Sequence, residues 1–178
     1  MMRLAYATAL ALAVPFPALA HDHEETSPMT SEEAAIQQAD DAVYAVISGP
    51  VGAPRDWARL RGLLTADARL TPIGTNGHLS LDVDGYIARS EKFLVEQGFF
   101  EVETGRRIEV YGRLAHVWSA YEGRSGSKDG PIVVTGINSF QLVKTESGWK
   151  VFSILWQPAS ASLPVPADLA GPATGEAK

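Results

Sequence analysis

The chain has no cysteine among its 178 residues. That excludes disulfides, thiol nucleophiles and zinc–thiolate sites, so the fold must stand on packing alone. It also excludes the acylated cysteine of a lipid-anchored bacterial export product. Basic residues are few, 15 against 21 acidic ones, which argues against nucleic acid or an anionic membrane as partner. No HExxH, Gly-x-Ser-x-Gly, EF-hand or Walker pattern occurs in the sequence. "GRSGSKDG" lacks the P-loop spacing and reads as a hairpin loop.

The one long apolar stretch lies at the start. Arg3 precedes "LAYATALALAV", and "ALA" at 18–20 has the small-x-small form of a cleavage site. Residues 1–20 therefore read as a secretory signal, too short for a confident bilayer span. Its loss would remove Arg3 and no acid, leaving 14 basic residues against 21 acidic. The expectation is a product exported across the inner membrane, periplasmic or extracellular, with no stable membrane insertion after cleavage. Residues 21–29 read as a flexible segment that would begin with His21-Asp22-His23. A free amine, two amide nitrogens and the His23 imidazole suit square-planar Cu(II) or Ni(II), making His21 and His23 the candidate metal residues. No other cofactor is expected, and His78 has no ligand partner in view.

From residue 30 the pattern turns periodic. Thr30 and Glu33 have capping-box spacing, and Ile36, Ala39, Val43 and Ile47 form one stripe before Gly49-Pro50. "DWARLRGLLT" predicts a second helix with Trp57, Leu60 and Leu64 on one face. "ARLTPIG" predicts a strand, and Asn76-Gly77 a turn. Asp82 and Gly98 bracket a third helix carrying Tyr86, Ile87, Phe93 and Leu94. After Gly98 the period is two, giving four strands over "FFEVETGRRIEVY", "LAHVWSAYEGR", "PIVVTGINSFQLVK" and "WKVFSILWQPA". Residues 159–178 are rich in Pro and Ala and are expected to be disordered. Helices followed by antiparallel strands predict an α+β domain over residues 30–158, with a strongly bent sheet wrapped around three helices.

The order α-α-β-α-β-β-β-β, with "LLTADARLTPIG", "IEVYGRLAHVWSAYEGR" and "GINSFQLVKTESGWKVFSILWQ", resembles the NTF2-like superfamily, in particular its SnoaL-like and DUF4440-like branch. The likeness spans residues 31–157. It implies a cone-shaped α+β barrel, a pocket at the wide end and a homodimer. The isomerase-like members place an Asp before a Pro in the first strand, where this chain has Thr71, and an acid in the strand that here carries Asn138 and Phe140. Tyr44 matches their helix tyrosine.

By likeness to those strands, His116, Trp118 and Ala120 would face the cone, with Asn138, Phe140 and Leu142, and Phe152, Ile154 and Trp156. Val117, Ser119, Tyr121, Thr135, Ile137, Ser139 and Gln141 would face outward, toward a dimer mate. The ligand wall is then Tyr44, Tyr86, Phe93, His116, Trp118, Asn138, Phe140 and Trp156. The catalytic candidates are His116 and Tyr44, with Glu101 or Glu103 as possible partners of His116. Each residue also has a structural reading: His116 satisfied by a backbone carbonyl, the aromatics as ordinary core, Asn138 at a bulge. The expected function is binding of a small, largely apolar molecule without catalysis. The alternatives are a SnoaL-like isomerase, cyclase or dehydratase using His116 and Tyr44, and a homodimeric protein-interaction module.

Overall fold

A computed structural model describes residues 29–170. The leader-like residues 1–20, the candidate metal residues His21 and His23, the rest of the segment up to residue 28, and residues 171–178 lie outside the described residues. Three helices are present: α1 (Ser31–Ile47), α2 (Trp57–Leu63) and α3 (Val83–Gln97). The strands are β1 (Leu64–Gly74), β2 (Gly77–His78), β3 (Phe99–Tyr111), β4 (Leu114–Ser125), β5 (Ile132–Thr145) and β6 (Gly148–Pro158). They form one curled, unclosed sheet in the order β2-β1-β6-β5-β4-β3. β1 runs parallel to β6, and the other neighbours are antiparallel. This is the expected α+β class. No helix among the described residues is long and apolar enough to cross a membrane.

The helix boundaries follow from their caps. Thr30 accepts from the Glu33 amide at 3.1 Å while the Glu33 carboxylate takes the Thr30 amide at 2.8 Å, which completes the capping box. Asp82 caps α3 through the Gly85 amide at 2.7 Å. Gly98 ends α3 at φ +63°, where a Cβ would meet the Val51 amide at 2.7 Å. The stripe of α1 lies on the concave face of the sheet. Ile36, Val43, Leu60, Leu70, Val117, Phe140, Leu142 and Val151 make the continuous core there.

Two strands depart from simple alternation. In β3 the register shifts between Glu103 and Gly105, so Thr104 is an extra residue. Glu103 pairs with Tyr121 and Arg106 with Ser119; the bulge thus turns residues three apart onto the same, concave side. In β6 the shift between Gln141 and Leu142 of the partner strand makes Phe152 the extra residue. Phe152 is exposed, whereas Val151 and Ile154 are buried. The expectation that Phe152 faces the interior is therefore corrected.

Residues 159–170, expected to be disordered, are also corrected. The segment leaves β6, forms a short Ser160–Leu163 turn and crosses the outer face of the sheet. Leu169 is 2% exposed, and its carbonyl oxygen occupies the space that a Cβ on Gly105 would need. Asp168 pairs with Arg107 at 3.3 Å. Proline removes amide donors without preventing a chain from lying on an apolar surface, so composition misled here.

One buried arginine joins the far ends of two helices. Arg55, 6% exposed, donates to the carbonyls of Ile47, Ala53, Gly49 and Leu94 at 2.6–2.9 Å. Its cation sits at the negative ends of α1 and α3, and a Cβ on Gly49 would strike the guanidinium at 2.5 Å. Burial without a carboxylate lowers its pKa. Arg55→Ala should cost about 3 kcal/mol, because several buried carbonyls lose donors together, and chemical denaturation will measure it. A cost below about 1 kcal/mol would show that water replaces the guanidinium.

Candidate functional site

The curl of the sheet over α1 and α3 leaves a cavity of about 530 Å³. Helix α1 contributes Tyr44, α3 contributes Tyr86 and Phe93, and β5 and β6 contribute Asn138, Phe140 and Trp156. The wall is mostly apolar. Tyr44 packs on Phe140 with ring centroids 5.9 Å apart, and Tyr86 meets Trp156 edge-on at 6.1 Å.

His116 and Trp118 are not on this wall. β4 presents Ala115, Val117, Ser119 and Tyr121 to the interior, paired with Leu142, Phe140, Asn138 and Gly136. His116 and Trp118 therefore lie on the outer face, opposite Gln141 and Ser139. His116 Nε2 is 3.0 Å from Ser139 Oγ, and its Nδ1 is 3.8 Å from Glu109. Trp118 lines a separate groove of about 300 Å³ between the sheet and residues 163–166. Both sets of β4 contain apolar residues, and a one-residue difference in facing exchanges them. The inward set, Ala115, Val117, Ser119 and Tyr121, is buried against the core of the concave face. Likewise Leu70, not Thr71, lines the cavity.

β3 places a carboxyl on the cavity wall. Glu101 is partly buried on the cavity wall and accepts from Asn138 Nδ2 at 2.8 Å. The same nitrogen donates to the Tyr44 hydroxyl at 2.8 Å. Desolvation raises the Glu101 pKa to about 7 against the opposing Asn138 hydrogen bond. Tyr44 in turn lies 2.6 Å from Ser119 Oγ, and Ser119 donates to Glu103 at 3.0 Å. Sequence alternation from Phe99 places Glu101 on the same side as that residue, which was the available signal; the pairing partner was not readable.

Behind Glu101 and Tyr44 lies a second, polar cleft of about 500 Å³ that also holds Asp41, Glu103, Arg106 and Lys128. Arg106 pairs with Asp41 at 2.7 Å and with Glu103, and stands 3.8 Å from the fully buried Asp40. Asp40, Asp41 and Glu103 bring one carboxylate oxygen each within 4.8 Å of one another. The guanidinium supplies the cation among them. Neither Asp40 oxygen has a hydrogen-bond partner. Desolvation first, and then the Glu103 charge, raise the Asp40 pKa to about 8. Glu103 is also raised by burial, against the pull of Arg106.

No family model matches the sequence, and no curated protein matches it. Solved structures do match its shape. An NTF2-like protein from Cytophaga hutchinsonii ATCC 33406 is 15% identical, with a TM-score of 0.57 over 73% of this chain and 99% of its own. A protein of unknown function with a cystatin-like fold from Nostoc punctiforme PCC 73102 is 13% identical, TM-score 0.60, over 76% and 97%. An NTF2-like family member from Streptomyces avermitilis, provisionally named a dehydratase, is 21% identical, TM-score 0.56, over 72% and 96%. The chain has the NTF2-like fold.

The raised acids have a measurable consequence. Between pH 3.8 and about 8 the native state holds a proton on Asp40 that the unfolded chain has released. The contribution of this group to stability therefore falls as pH rises through that window. Thermal unfolding at pH 5 and pH 8 should show a lower midpoint at pH 8, and Asp40→Asn, which mimics the protonated acid, should shrink that difference. Parallel behaviour of the two proteins would place the proton elsewhere.

Proposed function

We propose that the cavity takes a small, largely apolar molecule and that Glu101 exchanges a proton with it. The observation that carries this reading is a carboxyl with a pKa of about 7 on the wall of an otherwise apolar cavity. Such a group is populated in both forms near neutrality, which suits general acid–base work. The apolar wall supplies affinity, and the few polar atoms of Asn138, Tyr44 and Glu101 supply orientation. The reaction classes that fit are proton abstraction beside a carbonyl, cyclisation and dehydration. The provisional name of the Streptomyces neighbour is compatible with the last, although a fold of this kind hosts many chemistries. In this reading Glu101 rather than the outward-facing His116 carries the proton, and Tyr44 stands beside it through Asn138.

Within the NTF2-like fold, this reading groups the chain with the SnoaL-like and DUF4440-like proteins. The leader-like residues 1–20 support export. Exposed Leu114 and Phe152 on the outer sheet face support pairing of two copies there.

The test uses isotope exchange. Protein in D2O is mixed with a panel of small cyclic enones and hydroxyketones, and deuterium uptake is followed by mass spectrometry. At least one compound should exchange, and Glu101→Gln should slow it by about 100-fold or more. Native mass spectrometry should show that the variant still binds the compound. Binding with equal, background exchange in both proteins would leave a non-catalytic binding domain, and no binding at all would remove the reading.

A further inference from the structure

The wall between the apolar cavity and the polar cleft is made by Tyr44 and Glu101, which line both. Through this wall runs a chain of hydrogen bonds with a direction. Asn138 Nδ2 can only donate, so the Tyr44 oxygen accepts from it at 2.8 Å. Tyr44 then has one proton left, and Ser119 Oγ stands 2.6 Å away. Ser119 donates its own hydroxyl hydrogen bond to Glu103 Oε1 at 3.0 Å. An ionised carboxylate only accepts, and it therefore fixes the sense of every hydroxyl before it.

We propose that Ser119 and Glu103 are positioning residues that set which way the Tyr44 hydroxyl points, toward the buried Ser119 when Glu103 is ionised and into the cavity when it is protonated. The inference rests on the reading that the cavity is the working site. A protonated Glu103 donates to Ser119 Oγ, Ser119 donates to the second lone pair of Tyr44, and the Tyr44 proton is left facing the cavity. The change needs one proton from solvent in the cleft and rotations about C–O bonds; no covalent bond between heavy atoms forms or breaks. A bound molecule thus meets either an acceptor or a donor at the same oxygen. The first suits a hydroxyl group, and the second suits a carbonyl or an oxyanion.

The groups that decide the state of Glu103 surround it. Arg106, on its own strand, favours the anion. Asp41 from α1 opposes it, with the buried Asp40 of the same helix beside Arg106. Glu101 lies two residues back on β3, and Lys128 of the β4–β5 loop lines the same cleft. The β3 bulge makes the arrangement possible, because Glu103 and Arg106 share the concave face only with Thr104 inserted between them.

Nuclear magnetic resonance of the whole protein without ligand tests this. Protein labelled with 13C at tyrosine Cζ and glutamate Cδ is titrated from pH 4 to 9, with signals assigned through Tyr44→Phe, Glu101→Gln and Glu103→Gln. The Tyr44 signal should move with the Glu103 midpoint in the native sequence and lose that movement in both Glu103→Gln and Ser119→Ala. A Tyr44 signal that still follows Glu103 in Ser119→Ala, that follows Glu101 instead, or that stays flat while Glu103 titrates would overturn the proposal. If Ser119→Ala does not fold, persistence of the movement in Glu103→Gln overturns it alone. The Glu101 signal separates this result from the acid–base reading: a midpoint near 4.5 would remove that reading and leave the relay standing.

Discussion

Four carboxyls and one guanidinium share the space between α1 and the first half of β3, and this imbalance governs the rest of the site. Asp40, Asp41, Glu101 and Glu103 cannot all be ionised beside a single Arg106 in a partly dry environment. The surplus is held as protons, on Asp40 above all and on Glu101 at the cavity wall. The near-neutral acid of the cavity owes its state to its own desolvation, and its charge in turn helps to raise Asp40. Retention of the cluster has a stability cost that a hydrophobic seam between helix and sheet would not carry, which is the kind of cost working sites show.

Much of the architecture was legible in the sequence because local signals agreed with one another. The Thr30–Glu33 box, the stripe from Ile36 to Ile47, the Asp82 and Gly98 boundaries and the change of period after Gly98 correspond to α1, α3 and the run of long strands. What was not legible depends on pairing between strands. Alternation in β4 gives two sets of residues but does not say which faces α1, and the aromatic set proved to be the outer one. Phe152 sits at a bulge that no spacing announces. Glu101 and Glu103 look like charges on a solvated strand until the bulge and the overlying helix bring them beside Tyr44 and Asp40.

The two faces of the sheet differ in kind. The concave face packs on α1 through an apolar core and opens into the cavity lined by α1 and α3. The convex face carries Trp118 and His116 and is partly covered by residues 159–170 of the same chain. Gly105 is where the two meet: it belongs to the segment that turns Arg106 inward, and its missing side chain admits the backbone of Leu169 from outside. A side chain at this position would disturb the cover on one face and strain the charged cluster on the other.

Arg55 has a consequence for motion. It holds the carbonyls of Ile47 and Leu94, which close helices separated by nearly fifty positions of chain, and the Gly49 carbonyl it also grips accepts from the Phe99 amide that opens β3. The last turns of α1 and α3 and the entry to β3 are therefore fastened by a single side chain. Amide protons there, beside Phe93 and Phe99 at the cavity, should therefore exchange with solvent in one concerted opening.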